Sequence, residues 1–236
     1  MTAANVFARA DGAWLFFDTA VFDDDGFVRG FRSKVVTSDR LLIGIGVCGR
    51  IAPTASERIS DYMTAQPDQS AALATTPELL ATLKRDAASV HPAPASRWER
   101  LLWRGAPSDQ AGAISILIGW WDGEEDCGRA GVITDVDDLG PDYPPFQLHE
   151  IRNMASPSPQ FGDWFDYDDA LGMGLDFQPE RDGETLAGFE RREPNSRGGY
   201  RVGGSFERFH IHAGGIDRAT VASWPDRIGR PIKVTA

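Results

Sequence analysis

The first fifty residues decide the fold, and their most informative run is Val6-Phe7-Ala8-Arg9-Ala10-Asp11-Gly12-Ala13-Trp14-Leu15-Phe16-Phe17. Two apolar segments flank Asp11-Gly12, a dipeptide that is typical of the tight turn in a β-hairpin. The pattern predicts a hairpin whose second strand ends at Asp18, beside the start of the chain. A further turn signal, Asp23 to Gly26, precedes a third strand-like segment that leads to Lys34.

Thr2, Asp18 and Lys34 follow one another at intervals of 16 residues, and the predicted strands would bring all three together. If Met1 is removed, Thr2 gains a free α-amine. That amine, with a pKa of about 8, can accept the proton of the threonine hydroxyl, which is otherwise a weak nucleophile. Lys34 would supply a positive field that favours the alkoxide and a neutral amine, and Asp18 would hold the lysine.

Lysine is rare in this chain, with three among 24 basic residues. Its use at position 34 indicates a place that suits a compact point charge better than a planar guanidinium. Each residue also has a structural interpretation. Threonine is common after a start methionine, Asp18 could end a strand, and Lys34 could be a solvated side chain on an edge strand.

These residues resemble the start of a proteasome β-type subunit, including the simpler bacterial relatives, within the N-terminal nucleophile (Ntn) hydrolases. The run from Leu41 to Gly49 is similar to the apolar strand that precedes the first helix of that family. The resemblance implies a threonine peptidase or amidohydrolase that acts on a peptide or amide as a homo-oligomer. It implies three groups of site residues: catalytic Thr2, Asp18 and Lys34; backbone N–H groups near Cys48 and Gly49 for the oxyanion; and Ser156 as a supporting hydroxyl.

The late sequence departs from the family at two points, the first being the loop around Ser156, where Pro157 and Pro159 stand in place of the family's glycine. Gly203-Gly204 resembles the glycine pair that begins a late strand, but Gly199 and Val202 stand where the family has an aspartate and a serine. This departure favours an alternative function, a catalytically inactive assembly or binding subunit that keeps the proteasome fold.

The order of apolar patterns predicts a single α+β domain over residues 1–236, with strands, a helix pair, strands, a second helix pair and final strands. Two mainly antiparallel sheets between helix layers, a four-layer αββα sandwich, are what the resemblance implies. Helices are predicted within 53–63, where a loop is the alternative, and within 77–88, 161–177 and 184–192. Strands are predicted within 113–121, 129–134, 200–212 and 231–235, and an extended segment, with a strand as one alternative, within 143–151.

Composition limits the function further. The chain has 236 residues, 42% of them hydrophobic, and a net charge of −11, which argues against nucleic acid or an anionic membrane as a partner. No apolar run approaches the roughly 20 residues of a membrane helix, and the start lacks a signal-peptide pattern, so a cytoplasmic protein is expected. No cofactor is predicted. His210 and His212 alternate as metal ligands could. With no third ligand indicated nearby, surface or packing histidines and no metal are the prediction.

Overall fold

The computed structural model describes residues 3–23, 25–90, 113–137, 142–155, 177–194 and 199–234. In chain order the described elements are β1 (Ala4–Arg9), β2 (Gly12–Asp18), β3 (Ala20–Phe22), β4 (Val28–Phe31), β5 (Val35–Ser38), β6 (Ile43–Gly49), α1 (Ala55–Ala65), α2 (Gln69–Ala74), α3 (Thr76–Val90), β7 (Ile114–Asp122), β8 (Cys127–Thr134), β9 (His149–Ile151), β10 (Asn153–Met154), α4 (Pro179–Arg192), β11 (Ser205–His212) and β12 (Gly215–Ser223).

The strands form two five-stranded antiparallel sheets and one short hairpin. The first sheet has the order β10-β1-β2-β11-β12, and the second has the order β5-β6-β7-β8-β9. Strands β3 and β4 pair only with each other among the described strands. In the sequence this hairpin connects β2 of the first sheet to β5 of the second.

The two sheets pack face to face through one apolar layer. Leu15 and Phe17 of β2 enter this layer from the first sheet, and Leu117 and Val132 enter it from the second. Trp14 and Phe16 point the other way, towards Leu186 on α4. Every residue of β2 is therefore buried, which explains why its sequence is a continuous apolar run rather than an alternating one.

Helices cover the outer face of each sheet. Ile59 of α1 and Leu80 and Leu83 of α3 pack on Ile45 and other apolar residues of the second sheet, and α4 packs on the first. The layers are therefore helices, second sheet, first sheet and helix, which confirms the predicted α+β, four-layer αββα architecture.

Most predicted elements of the described residues form, although the short strands β3 and β10 were not predicted. The short helix α2, capped by the Asp68 side chain, was not predicted, and neither was β12, whose residues are all at least partly exposed and give a weak apolar pattern. The strand predicted at 231–235 is wrong for its described part, since Pro231 makes only an isolated bridge to Phe27. The helix predicted at 161–177 lies outside the described residues except for its last position, Phe177, which precedes α4.

One further feature concerns membranes. Among the residues that the structure describes, no helix is both long enough and apolar enough to cross a bilayer.

Candidate active site

Asp18 ends β2 as a fully buried carboxylate surrounded by hydrogen-bond donors. Its Oδ1 accepts the backbone N–H of Ala3 at 3.0 Å, and its Oδ2 accepts the N–H groups of Ala20 and Gly203, each at 3.2 Å. A buried carboxylate is costly unless such donors and a countercharge compensate for its lost hydration. Asp18 thus ties two distant parts of the chain, the residue before β1 and the glycine pair before β11, to the end of β2.

Lys34 supplies the countercharge. Its Nζ lies 2.7 Å from Asp18 Oδ1, and its side chain is only 8% exposed. The β3–β4 hairpin makes this possible, because the N–H of Arg32 donates to the Thr19 carbonyl and returns the chain to the end of β2. Burial lowers the pKa of Lys34, while the charge of Asp18 acts in the opposite direction. The predicted meeting of Asp18 and Lys34 is therefore what the structure shows.

Cys48 and Gly49, the residues predicted to lie at an oxyanion site, end β6. Both pair with the start of β7, opposite Ser115 and Ile114. Gly49 has φ +108°, and a Cβ there would lie 1.9 Å from the Ala113 carbonyl oxygen, so only glycine fits. Burial raises the pKa of the Cys48 thiol to about 11, against the attraction of Lys34. A raised pKa disfavours the thiolate at neutral pH, which argues against Cys48 as a nucleophile.

Gly203 and Gly204 bring backbone N–H groups against two carboxylates. Gly203 donates to Asp18, and Gly204 donates to Asp226 Oδ2 at 2.9 Å. Gly204 has φ +74°, and a Cβ there would lie 2.5 Å from both Phe31 Cδ1 and Thr19 Oγ1. This close approach explains the glycine pair, because a side chain at either position would separate the start of β11 from the site.

A second buried ion pair holds this glycine turn. Arg191, near the end of α4, binds Asp226 through both terminal nitrogens, with Nη1–Oδ2 at 2.8 Å and Nη2–Oδ1 at 2.7 Å. Nη1 also donates to the Val202 carbonyl at 2.5 Å, and the guanidinium lies over the Trp224 ring. Through Asp226, the C-terminal segment is therefore bound both to α4 and to Gly204, the neighbour of the glycine that donates to Asp18.

A third buried carboxyl group belongs to Glu190 on α4, next to Arg191 in the chain. It is 1% exposed, and its Oε2 accepts an N–H from the Asn5 side chain at 3.1 Å. Its Oε1 has no hydrogen-bond partner among the residues that the structure describes. Burial raises the pKa of Glu190 well above the usual range, the bond from Asn5 lowers it, and the charge of Asp18 raises it further. A carboxyl group in these surroundings favours its neutral, protonated form.

Two predicted site residues, Thr2 and Ser156, lie outside the described residues. Four residues around the site were not found from the sequence: Asn5, Glu190, Arg191 and Asp226. Arginine in the last turn of a helix is ordinary, and an aspartate after Trp224-Pro225 has no special pattern. No local signal identifies them, because their partners lie far away in the sequence.

Comparison with known proteins supports the fold. The chain is similar in structure to Anbu from Hyphomicrobium sp. strain MC1, solved as a Gly-1 mutant, with a TM-score of 0.60 over 96% of this chain and 89% of that chain. The sequence identity is 12%, so the likeness shows the fold alone. No protein-family profile and no curated protein sequence matches the chain. The chain thus has a proteasome-like fold.

Proposed function

We propose that the chain is an N-terminal-threonine amidohydrolase, a peptidase that works as a proteasome-like homo-oligomer. One observation carries the proposal: Asp18 Oδ1 accepts hydrogen bonds from both the Lys34 ammonium and the backbone N–H of Ala3. That N–H belongs to the peptide bond between Ala3 and Thr2. The carboxylate therefore links the buried cation to the residue bonded to the proposed nucleophile.

In the proposed reaction the Thr2 hydroxyl attacks the substrate's amide carbonyl. The α-amine of Thr2 takes the hydroxyl proton and passes it to the leaving amine, so that an acyl ester forms as the C–N bond breaks. Water then hydrolyses the ester, with the same amine acting as the base. The mature chain must begin at Thr2 for this mechanism to operate.

Lys34, Asp18 and the backbone would tune this reaction. The Lys34 charge, little exposed to water, disfavours a second cation on the Thr2 amine and so keeps that amine available as a base. Asp18 fixes the lysine and balances its charge. Backbone N–H groups near Cys48 and Gly49 would stabilise the oxyanion, and Ser156 would be a supporting hydroxyl.

The test begins with intact mass spectrometry of protein purified without an N-terminal tag. We expect a mature chain that starts at Thr2 and is labelled there by an electrophilic peptide probe, such as a peptide vinyl sulfone. Thr2→Ala should abolish labelling, Thr2→Ser should keep it, and the matched control Thr64→Ala, an exposed position on α1, should leave it unchanged. A mature chain that keeps Met1, or labelling that survives in Thr2→Ala, would contradict the proposed mechanism.

Assembly is tested separately. We expect a species larger than a monomer in light scattering at micromolar concentration, because the proposed peptidase works as an oligomer. A monomer at all concentrations would contradict the assembly part of the proposal and leave the chemistry to be judged from the labelling.

A second candidate function is an assembly or binding subunit without activity. The observation in its favour is Val202, which is 1% exposed and apolar, at the place where the family has a serine. This function predicts an oligomer whose Thr2 is not labelled even when Met1 has been removed, so the same experiments distinguish the two functions.

A further inference from the structure

We propose that the β11–β12 hairpin binds a divalent transition-metal ion of the Zn²⁺ type through His210, His212 and Asp217. These residues lie outside the candidate active site. His210 pairs with Trp14 on β2, whereas Asp18 pairs with Phe206, four residues and roughly 13 Å further along the strand.

The hairpin register places the three side chains on one face. His210 and His212 are two residues apart on β11, and Asp217 on β12 lies directly opposite His210. His212 pairs with Gly215, so that Ala213 and Gly214 form a two-residue turn. One ligand atom from each of the three residues lies within 4.8 Å of the other two. The sequence indicated no third ligand because β12 was not predicted as a strand.

His210 already makes the second-nitrogen hydrogen bond that metal-binding histidines commonly make. Its Nε2 lies 3.1 Å from the Asp11 carbonyl oxygen, which can only accept, so Nε2 carries the proton and Nδ1 keeps its lone pair. The ring stacks on Trp14 with centroids 3.6 Å apart, and a Cβ on Gly12 would lie 2.3 Å from Nε2. Metal-binding histidines commonly donate their second ring N–H to a backbone carbonyl in this way.

His212 and Asp217 supply the other two ligands. His212 Nε2 lies 3.3 Å from Asp217 Oδ2, about the separation of two ligand atoms that each lie some 2.0 Å from a tetrahedral Zn²⁺. The N–H of Gly214 donates to His212 Nδ1 at 3.1 Å, which leaves the ring proton on Nε2. Metal binding through Nε2 requires the other tautomer, with the proton on Nδ1, so the Gly214 N–H gives up its hydrogen bond to Nδ1 and turns to water.

The donor set selects the class of ion. Two imidazole nitrogens and one carboxylate oxygen suit Zn²⁺ and neighbouring transition metals, whereas Ca²⁺ and Mg²⁺ prefer oxygen ligands alone. Asp217 is 74% exposed, so the fourth position of the ion would be open to water. A net charge of −11 on the chain also favours cation binding.

The test is a titration of tag-free, chelator-treated full-length protein with Zn²⁺, followed by calorimetry, and with Co²⁺, followed by its visible absorption. We expect one ion per chain at this site, with His212→Gln and Asp217→Asn each weakening the affinity at least about 10-fold. His149→Gln, on β9 of the other sheet, is the matched control and should bind as the wild type does.

The same variants are checked by circular dichroism and thermal unfolding without metal, where we expect little change because both side chains are partly exposed. Absence of saturable binding by the wild type would overturn the proposal. Binding that survives in both His212→Gln and Asp217→Asn, or that is lost equally in His149→Gln, would do the same.

Discussion

Two buried ion pairs, Arg191–Asp226 and Lys34–Asp18, lie on either side of the Gly203–Gly204 pair. Each joins one cation to one carboxylate, but the two cations make different sets of hydrogen bonds. Arg191 binds Asp226 through both terminal nitrogens. Nη1 also donates to the Val202 carbonyl and Nη2 to the Lys233 carbonyl. Lys34 Nζ lies 2.7 Å from Asp18 Oδ1, and among the described residues the backbone N–H groups of Ala3, Ala20 and Gly203 also donate to that carboxylate.

The difference separates a structural pair from a chemical one. A guanidinium whose donors bind one carboxylate and two carbonyls fixes geometry, and here it fixes the turn that carries Gly203 to Asp18. An ammonium is a point charge whose field reaches whatever lies beside it. The Arg191 pair is therefore expected to matter most for stability, and the Lys34 pair for chemistry.

The largest expected effect is on stability, from Asp226→Ala. This change leaves a buried guanidinium without its carboxylate and the Gly204 N–H without its acceptor, so we expect a loss of about 3–5 kcal/mol in the free energy of unfolding. Urea unfolding measures it. The control is Asp86→Ala, which removes an exposed pair with Arg58 and should cost at most about 1 kcal/mol. Equal losses in both variants would contradict the structural role of the buried pair.

Lys34→Met should cost less stability, about 1–3 kcal/mol, because Asp18 keeps its three backbone donors and the desolvation of the lysine is relieved. Its effect on chemistry should be larger. If the proposed function holds, the rate of Thr2 labelling should fall at least about 100-fold. Lys84→Met is the matched control, since Lys84 is half exposed beside Asp135 and should keep the labelling rate. Wild-type labelling in a folded Lys34→Met variant would refute the chemical role.

A pH-dependent effect on stability concerns Glu190, which precedes Arg191 in the chain and lies in the electric field of Asp18. Its pKa is raised in the folded protein, so its stabilising contribution is present below the unfolded pKa of about 4.3 and is lost as the pH rises towards the folded pKa. Glu190→Gln cannot ionise. The variant should therefore gain stability relative to the wild type as the pH rises above about 4.3, by up to about 1.4 kcal/mol per pH unit within that window.

Urea unfolding of the wild type and Glu190→Gln from pH 4 to pH 8 measures this difference. Glu184→Gln, at an exposed position on the same helix, is the control and should show no such trend. Parallel stability curves for the wild type and Glu190→Gln would mean that Glu190 is ionised in the folded protein.

Sequence alone determined the elements that depend on local patterns. The turn at Asp11-Gly12 and the apolar run after it specify β1 and β2, and the predicted convergence of Asp18 and Lys34 is what the structure shows. The nucleophile at Thr2, the oxyanion donors, the supporting Ser156 and a single domain over 1–236 stay predictions. The likeness to Anbu supports the fold that the first fifty residues indicated.

Tertiary structure alone decided which groups surround these elements. Glu190 reaches Asn5 across 185 residues of sequence, and Arg191 reaches Asp226 across 35. Neither pair shares a strand or a helix whose period could reveal it. Asp217 lies opposite His210 because β12 pairs with β11 in that register. The sequence did not predict β12, because this edge strand has a weak apolar pattern. Local periodicity encodes which face of an element is buried, whereas partners from distant segments depend on how those faces pack.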